Sequence, residues 1–282
     1  MPGASAKAET GAAEQAPAFR IADSGAALTA ALAAMAVYWR TLAPTVTGED
    51  SGEFITAAWS LGIPHPPGYP TWCMLAHLFT WLPWGSVAWR VNLMSAVFGA
   101  GTVLLIVLLI ILLTRNRPAA LCGGLALAFS REFWEQSVIA EVYTLNAFVI
   151  AACVLLLLRW HQTRRDRLLY GFALLYGLGL GVHNTFMLLG PLFALFLFLS
   201  DLPTLRWKTY AALAGIGALG SLVYLYLPVR SLANPAMDWG NPETLQNFWD
   251  VVRRKQLSFL LTENPRELGR FLRQMNVMGG FW

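Results

Sequence analysis

Residues 91–114 read VNLMSAVFGAGTVLLIVLLIILLT, an apolar run with no charged side chain, closed by Arg115 and Arg117. It is longer than the roughly 20 residues that cross a bilayer as a helix, so it reads as a membrane span. The rest of the chain agrees. Of its 282 residues 56% are apolar and only 13% charged, and its mean hydropathy is +0.51. Soluble domains carry about a quarter charged residues, so both a soluble and a disordered chain are excluded.

Outward from this run, further apolar stretches predict helices over Gly25–Ala43, Pro118–Phe133, Ile139–Leu158, Leu168–Val182, Asn184–Ser200 and Thr209–Leu227. Several are near or below spanning length, so the basic loops are needed to set the count. Arg115/Arg117, then Arg159/Arg164/Arg165/Arg167, then Arg206/Lys208 all belong on the cytoplasmic side. Each interval between these clusters must therefore hold an even number of crossings. Seven helices satisfy this, with turns at Ser130–Ser137 and Gly181–Asn184 on the outside. The N-terminus is then cytoplasmic and residue 228 onwards external. Tyr38 and Trp39 are expected at the outer interface, with Arg40 reaching to the headgroups.

The expected fold is thus all-α and polytopic. Residues 1–24, rich in Ala, Gly, Glu and Pro, read as a disordered cytoplasmic tail. Residues 25–261 carry the transmembrane domain, and 262–282 an amphipathic C-terminal tail centred on Pro265–Asn276. Thr71–Leu82 is apolar but too short to cross, and a crossing there would upset the charge parity. Together with Ser51–Leu61 it predicts a large, structured first external loop with two interfacial helices. No internal repeat is visible, which weighs against an inverted-repeat transporter.

Cys73, Cys122 and Cys153 stand singly, without the spacing of a zinc site or a disulfide framework. The net charge of +4 comes from short clusters between apolar runs. No basic stripe with interleaved aromatics marks a nucleic-acid surface.

The acids gather on the external side. Glu49, Asp50 and Glu53 follow the first helix directly, and the spacing of Asp50 and Glu53 puts them on one helical face. Two readings stand: a carboxylate that takes a proton from an acceptor hydroxyl, or a helix cap with Glu53 closing a capping box. Next, His65-Pro-Pro-Gly-Tyr-Pro70 is a stiff segment that either aims His65 and Tyr69 at a pocket or merely connects two helices. Glu141 sits at the outer end of a membrane helix, where it needs either Arg131 or a functional reason. His183 and Asn184 form a polar tip between two apolar helices. Finally, Arg230 and Arg253-Arg-Lys255 break the positive-inside pattern. Contact with anionic headgroups is one account. Arg230 with one of Arg253 or Arg254 on the phosphate of a lipid-linked donor is the other. Asn241 and Pro242 are expected to start the helix that ends in these basic residues.

Several of these segments together resemble a known family. Pro44-Thr-Val-Thr-Gly-Glu-Asp-Ser-Gly-Glu53, Leu61-Gly-Ile-Pro-His-Pro-Pro-Gly-Tyr-Pro70, Arg90-Val-Asn-Leu-Met-Ser95, Phe133-Trp134, Ala140-Glu-Val-Tyr-Thr-Leu-Asn146, Leu227-Pro-Val-Arg230 and Asp238-Trp-Gly-Asn-Pro242 are similar to the GT-C superfamily of polytopic glycosyltransferases. Within it they resemble the protein O-mannosyltransferases of glycosyltransferase family 117. The likeness runs from about residue 42 to 256. Family members continue with more helices, so the domain is expected to be incomplete.

The resemblance implies transfer of a mannose-like sugar from a polyprenyl-phosphate donor to a hydroxyl of a protein or glycan acceptor at the outer face. Asp50 is the first-loop acid, expected as general base with inversion and with Glu53 beside it. Glu49, His65, Tyr69, Glu141, His183, Arg230, Trp239 and Arg253 are the expected donor and substrate residues, with an arginine, first of all Arg230, on the departing phosphate. No cofactor is required and no metal ligand set is assigned, although a divalent cation is compatible with the acids. The expected partners are the lipid-linked sugar, the acceptor and the bilayer. Composition points to a bacterial inner membrane with a periplasmic site. A transporter or lipid flippase is the rival reading, which predicts ionisable groups near the bilayer midplane.

Overall fold

The computed structural model describes residues 19–200 and 207–255. The C-terminal tail, Pro265–Asn276 and Arg206 lie outside these residues. The described chain is helical, with twelve α-helices. They are α1 (Ile21–Thr41), α2 (Ser51–Ser60), α3 (Pro70–Phe79), α4 (Val87–Thr114), α5 (Arg117–Ala128), α6 (Arg131–Ser137), α7 (Tyr143–Thr163), α8 (Asp166–Leu180), α9 (Thr185–Leu199), α10 (Trp207–Ser221), α11 (Tyr226–Ser231) and α12 (Leu245–Val252). A 3-10 turn, Leu222–Leu225, joins α10 to α11.

Among the described residues, four stretches are long and apolar enough to span a bilayer: α1, α4, α7 and the continuous Trp207–Ser231. The other three expected spans form α5, of 12 residues, and α8 and α9, of 15 residues each. At 1.5 Å per residue these cover about 18 to 23 Å, less than the ~30 Å hydrocarbon core. Parity of the basic loops predicts pairs of helices but carries no information on their length.

α4 is the central helix, packed against α1, α5 and α7. Ser86 caps its start by accepting the Trp89 N–H at 3.2 Å, and Arg115 closes it in a left-handed conformation. Ala27, Ala30, Ala31 and Ala34 are buried along one face of α1, small enough to bring it close to α4. On the far side of the bundle, α8 and α10 meet at Gly177 and Gly220, where a Cβ on Gly177 would strike the Gly217 carbonyl and the Gly220 Cα.

The two helices expected in the loop after the first span form, as α2 and α3. Pro70 opens α3, which leaves Met74 and Leu78 exposed and is followed by exposed Trp81 and Trp84. A short helix ending in two outward tryptophans suits the bilayer interface.

Four details correct the sequence reading. The expected tail is already helical at Ile21, because Asp23 turns inward onto Arg117. Tyr38 is not interfacial: it is fully buried and donates to the Ala128 carbonyl at 2.8 Å, leaving Trp39 as the exposed aromatic. The expected turn Ser130–Ser137 is largely the helix α6, started at Ser130 after a break at Phe129. Helix α12 begins at Leu245 under a Thr244 cap rather than at Asn241, whose side chain lies 2.9 Å from the Ser231 hydroxyl.

Candidate active site

The segment after α1 supplies the first residues. Asp50 sits at the start of α2, yet its side chain makes no capping bond and is 58% exposed. Glu53, one turn on, also does not reach back to close a capping box. Its Oε1 accepts the His65 backbone N–H at 2.5 Å and its Oε2 lies 3.1 Å from His65 Nδ1. Burial pushes the Glu53 carboxyl up, but these two His65 bonds outweigh it and hold it below the usual carboxylate range.

With Nδ1–H directed at Glu53, His65 Nε2 is free to accept from the Tyr69 hydroxyl, 2.8 Å away. Asp50 Oδ2 lies 3.9 Å from the same nitrogen. In the His65–Pro70 loop the Pro66–Pro67 bond is cis, and Gly68 and Tyr69 both have positive φ. Tyr69 is buried, which pushes its hydroxyl up, and Phe54 packs edge-on against both rings.

Glu141 enters from the start of α7 and is 3% exposed. Its Oε1 accepts the Asp50 backbone N–H at 3.2 Å, and its own carbonyl accepts the Trp72 indole N–H at 3.1 Å. Burial, then the charges of Glu49 and Asp50, push the Glu141 carboxyl up to about 7. Glu49, in a left-handed conformation, accepts from Gln136 at 3.2 Å.

The turn between α8 and α9 is tied to the loop by the Thr71 N–H, which donates to the Gly181 carbonyl at 3.0 Å, and by its hydroxyl on the Leu178 carbonyl at 2.7 Å. This stacks His183 on Tyr69, centroids 6.2 Å apart, with Tyr143 at 5.8 Å. The Thr185 N–H donates to His183 Nδ1 at 3.3 Å, so the ring proton sits on Nε2. Burial, then the charges of Arg254 and His65, push the His183 ring down, so it is neutral near pH 7.

Asp50, Glu53, His65, Tyr69, Glu141 and His183 therefore stand together, as the spacing of their motifs alone could not require. Arg230 is placed differently. Its Nε donates to the Leu61 carbonyl at 2.8 Å and its Nη2 to the Ser60 carbonyl at 3.1 Å, at the C-terminal end of α2. Tyr226 donates to the Gly62 carbonyl at 2.8 Å. Ile63 and Asp238 form a parallel bridge, in which Trp239 N–H meets the Ile63 carbonyl at 3.0 Å. Trp239 itself is half exposed, and Arg253 lies over the Trp249 ring at 5.3 Å.

Arg254 is the basic residue whose charge acts on Tyr69, Tyr143 and His183. Its Nε is buried without a hydrogen-bond partner among the described residues, and its backbone is left-handed. The basic Arg253–Lys255 run is the sequence signal for it, but only the left-handed turn after α12 selects Arg254. Sequence reasoning passed over Tyr143, whose ring lies against His183, and Trp72, whose buried N–H holds the Glu141 carbonyl. The ligand atoms of Asp50, Glu53 and His65 all lie within 4.8 Å of one another, close enough to share one cation.

These features define a polytopic helical membrane protein with an acid–histidine–tyrosine site at one end of its bundle. Residues 50–206, more than half of the chain, match the family described as Protein O-mannosyl-transferase TMEM260 N-terminal domain, and the chain belongs to that family. Mouse protein O-mannosyl-transferase TMEM260 is 36% identical over 227 residues, covering 76% of this chain and 31% of the mouse protein. The protein of the same name from Dictyostelium discoideum is 29% identical over 243 residues, covering 79% of this chain and 30% of its own length. The chain thus spans about a third of the length of these curated relatives. No solved structure matches it significantly.

Proposed function

We propose that the chain is a GT-C-type glycosyltransferase domain that moves a mannose-like sugar from a polyprenyl-phosphate donor to a hydroxyl of a protein or glycan acceptor. The observation that carries this is the exposed Asp50 carboxylate beside His65, whose tautomer is fixed by Glu53. The names of the two relatives, both protein O-mannosyl-transferases, support the sugar and the reaction class.

In this mechanism Asp50 takes the acceptor hydroxyl proton as that oxygen attacks the anomeric carbon from the face opposite the phosphate, inverting it. Glu53 and His65 hold the Tyr69 hydroxyl, and Glu141 fixes the Asp50 backbone. Neutral His183 offers its Nε2–H to a sugar hydroxyl. A phosphate leaving group needs charge stabilisation rather than protonation, and the guanidinium of Arg254, whose Nε has no partner among the described residues, is assigned to it. Arg230 then sets the frame by holding the end of α2. Trp239, Arg253 and Glu49 keep their assignment around the donor.

Two apolar cavities, about 290 Å³ and about 240 Å³, share Phe248 of α12, the helix that Arg254 follows, and suit the lipid part of the donor. The chemistry requires no cofactor. Asp50, Glu53 and His65 could hold a divalent cation only if His65 gave up Glu53 or Tyr69, and dialysis against a chelator tests for one.

The site is assigned to the membrane face opposite the basic loops. The bacterial inner membrane was expected from composition, whereas both relatives are eukaryotic. The mechanism needs only a bilayer that presents the donor on the Asp50 side. A transporter is disfavoured because the long apolar run of α4 carries no ionisable side chain between Val91 and Thr114. Transfer from a labelled polyprenyl-phosphate mannose in detergent tests the assignment: near-normal turnover in Asp50→Asn overturns it.

A further inference from the structure

At the end of the bundle opposite Asp50, three helix ends bring three arginines to one place. Arg20 precedes α1, Arg115 closes α4 and Arg117 opens α5. With Asp23 and Ile111 they line a cavity of about 320 Å³, which adjoins a wider hollow of about 480 Å³ lined by the same arginines and Asn116.

Asp23 cannot neutralise this group. Its Oδ1 is taken by Arg117 Nε at 2.6 Å and its Oδ2 by the Arg20 backbone N–H at 2.7 Å. One carboxylate therefore faces three guanidinium groups. The Arg20 and Arg115 side chains donate to no protein group among the described residues. Arg159, whose guanidinium lies over the Phe19 ring at 5.3 Å, adds charge from α7 and feels that of Arg115 and Arg165.

Arg20 and Arg115 are exposed and Arg117 is half-buried, yet all three line one hollow with a buried acid in its wall, where their like charges repel. The hollow lies at the ends of the spanning helices α1 and α4, at the depth of lipid headgroups. A phosphate ester has the charge and the acceptor oxygens to engage several guanidinium groups at once.

We propose that this cavity binds the phosphate of an anionic phospholipid in the leaflet opposite the Asp50 site. The binding is independent of the transfer reaction.

The full chain is placed in nanodiscs of phosphatidylcholine with and without phosphatidylglycerol. Thermal midpoint is measured, and retained lipid is counted by native mass spectrometry. The unmodified chain is expected to retain phosphatidylglycerol and to melt higher in its presence. Arg20→Gln with Arg115→Gln is expected to weaken that retention about tenfold or more. Arg167→Gln, an exposed arginine of α8 outside the cavity, keeps it.

Equal retention by the double variant overturns the proposal, as does an equal loss in Arg167→Gln. A rise in midpoint of the same size from inorganic phosphate in pure phosphatidylcholine also overturns it, because the ligand is then soluble. The midpoint in phosphatidylcholine alone checks folding, and each single variant, expected to lose part of the retention, serves if the double variant does not fold.

Discussion

Asp23 and Glu141 are both carboxylates with under a twentieth of their surface exposed, at 4% and 3%, and they lie at opposite ends of the bundle. Asp23 has a cation: Arg117 reaches it at 2.6 Å. Glu141 has only backbone N–H groups and two more acids nearby, so its carboxyl sits near 7. The same side-chain chemistry thus does two jobs. A buried acid given a cation ties two helices together. A buried acid denied one is costly to ionise, and such groups are kept where chemistry uses them.

The sharpest break between the two ends is expected at Asp50, the exposed neighbour of Glu141. Asp50→Asn should lower turnover about 10²- to 10⁴-fold, the range of a lost general base, with the melting curve unchanged because its side chain caps nothing. The same exchange at Asp23 should do the reverse: transfer persists, while the thermal midpoint falls by a few degrees. Equal effects at both positions would erase the distinction.

Glu141 offers the next test, through pH. Its folded value of about 7 lies above the ordinary 4.5 of the free carboxyl. The folded state therefore holds an extra proton between these values, so stability is full below pH 4.5 and is lost as the pH rises through about 7. Glu141→Gln cannot ionise, so it should gain about 1–3 kcal/mol over the unmodified chain above pH 7 and nothing in acid, read by denaturant midpoints. A gain independent of pH would show that Glu141 ionises in the folded state as readily as in the unfolded chain, and would overturn the raised value.

The smallest effect is expected at Tyr69. Tyr69→Phe removes the donor to His65 Nε2, an interaction of about 1 kcal/mol, and should slow transfer by about tenfold or less while leaving lipid retention at the arginine end untouched.

How much of this was legible in the sequence differs between the two ends. The Asp50 end announced itself through residue types that are expensive near a membrane, in segments stiffened by proline and glycine. The convergence of Asp50, His65, Glu141 and His183 depends on the Thr71–Gly181 link and the Trp72–Glu141 bond, which join residues far apart in the chain. Arg230 looked equivalent to Arg254 because charge and side were all the sequence offered. What separates them is that Arg230 meets the carbonyls ending α2, whereas Arg254 turns inward through a positive φ. Helix lengths were the other gap. Parity predicts pairs of crossings, but the breaks at Phe129 and at the α8–α9 turn are set by local capping and packing.

The clamp on α2 also has a consequence in time. Arg230 and Tyr226 hold carbonyls that lie 169 and 164 residues earlier in the chain. At a synthesis rate of about 5–20 residues per second, the end of α2 waits on the order of ten seconds or more for its partners. During that interval the loop that carries Asp50 has left the ribosome without the segment that braces it. The brace is therefore the last part to arrive, and a nascent chain carries Asp50 long before the end of α2 is held.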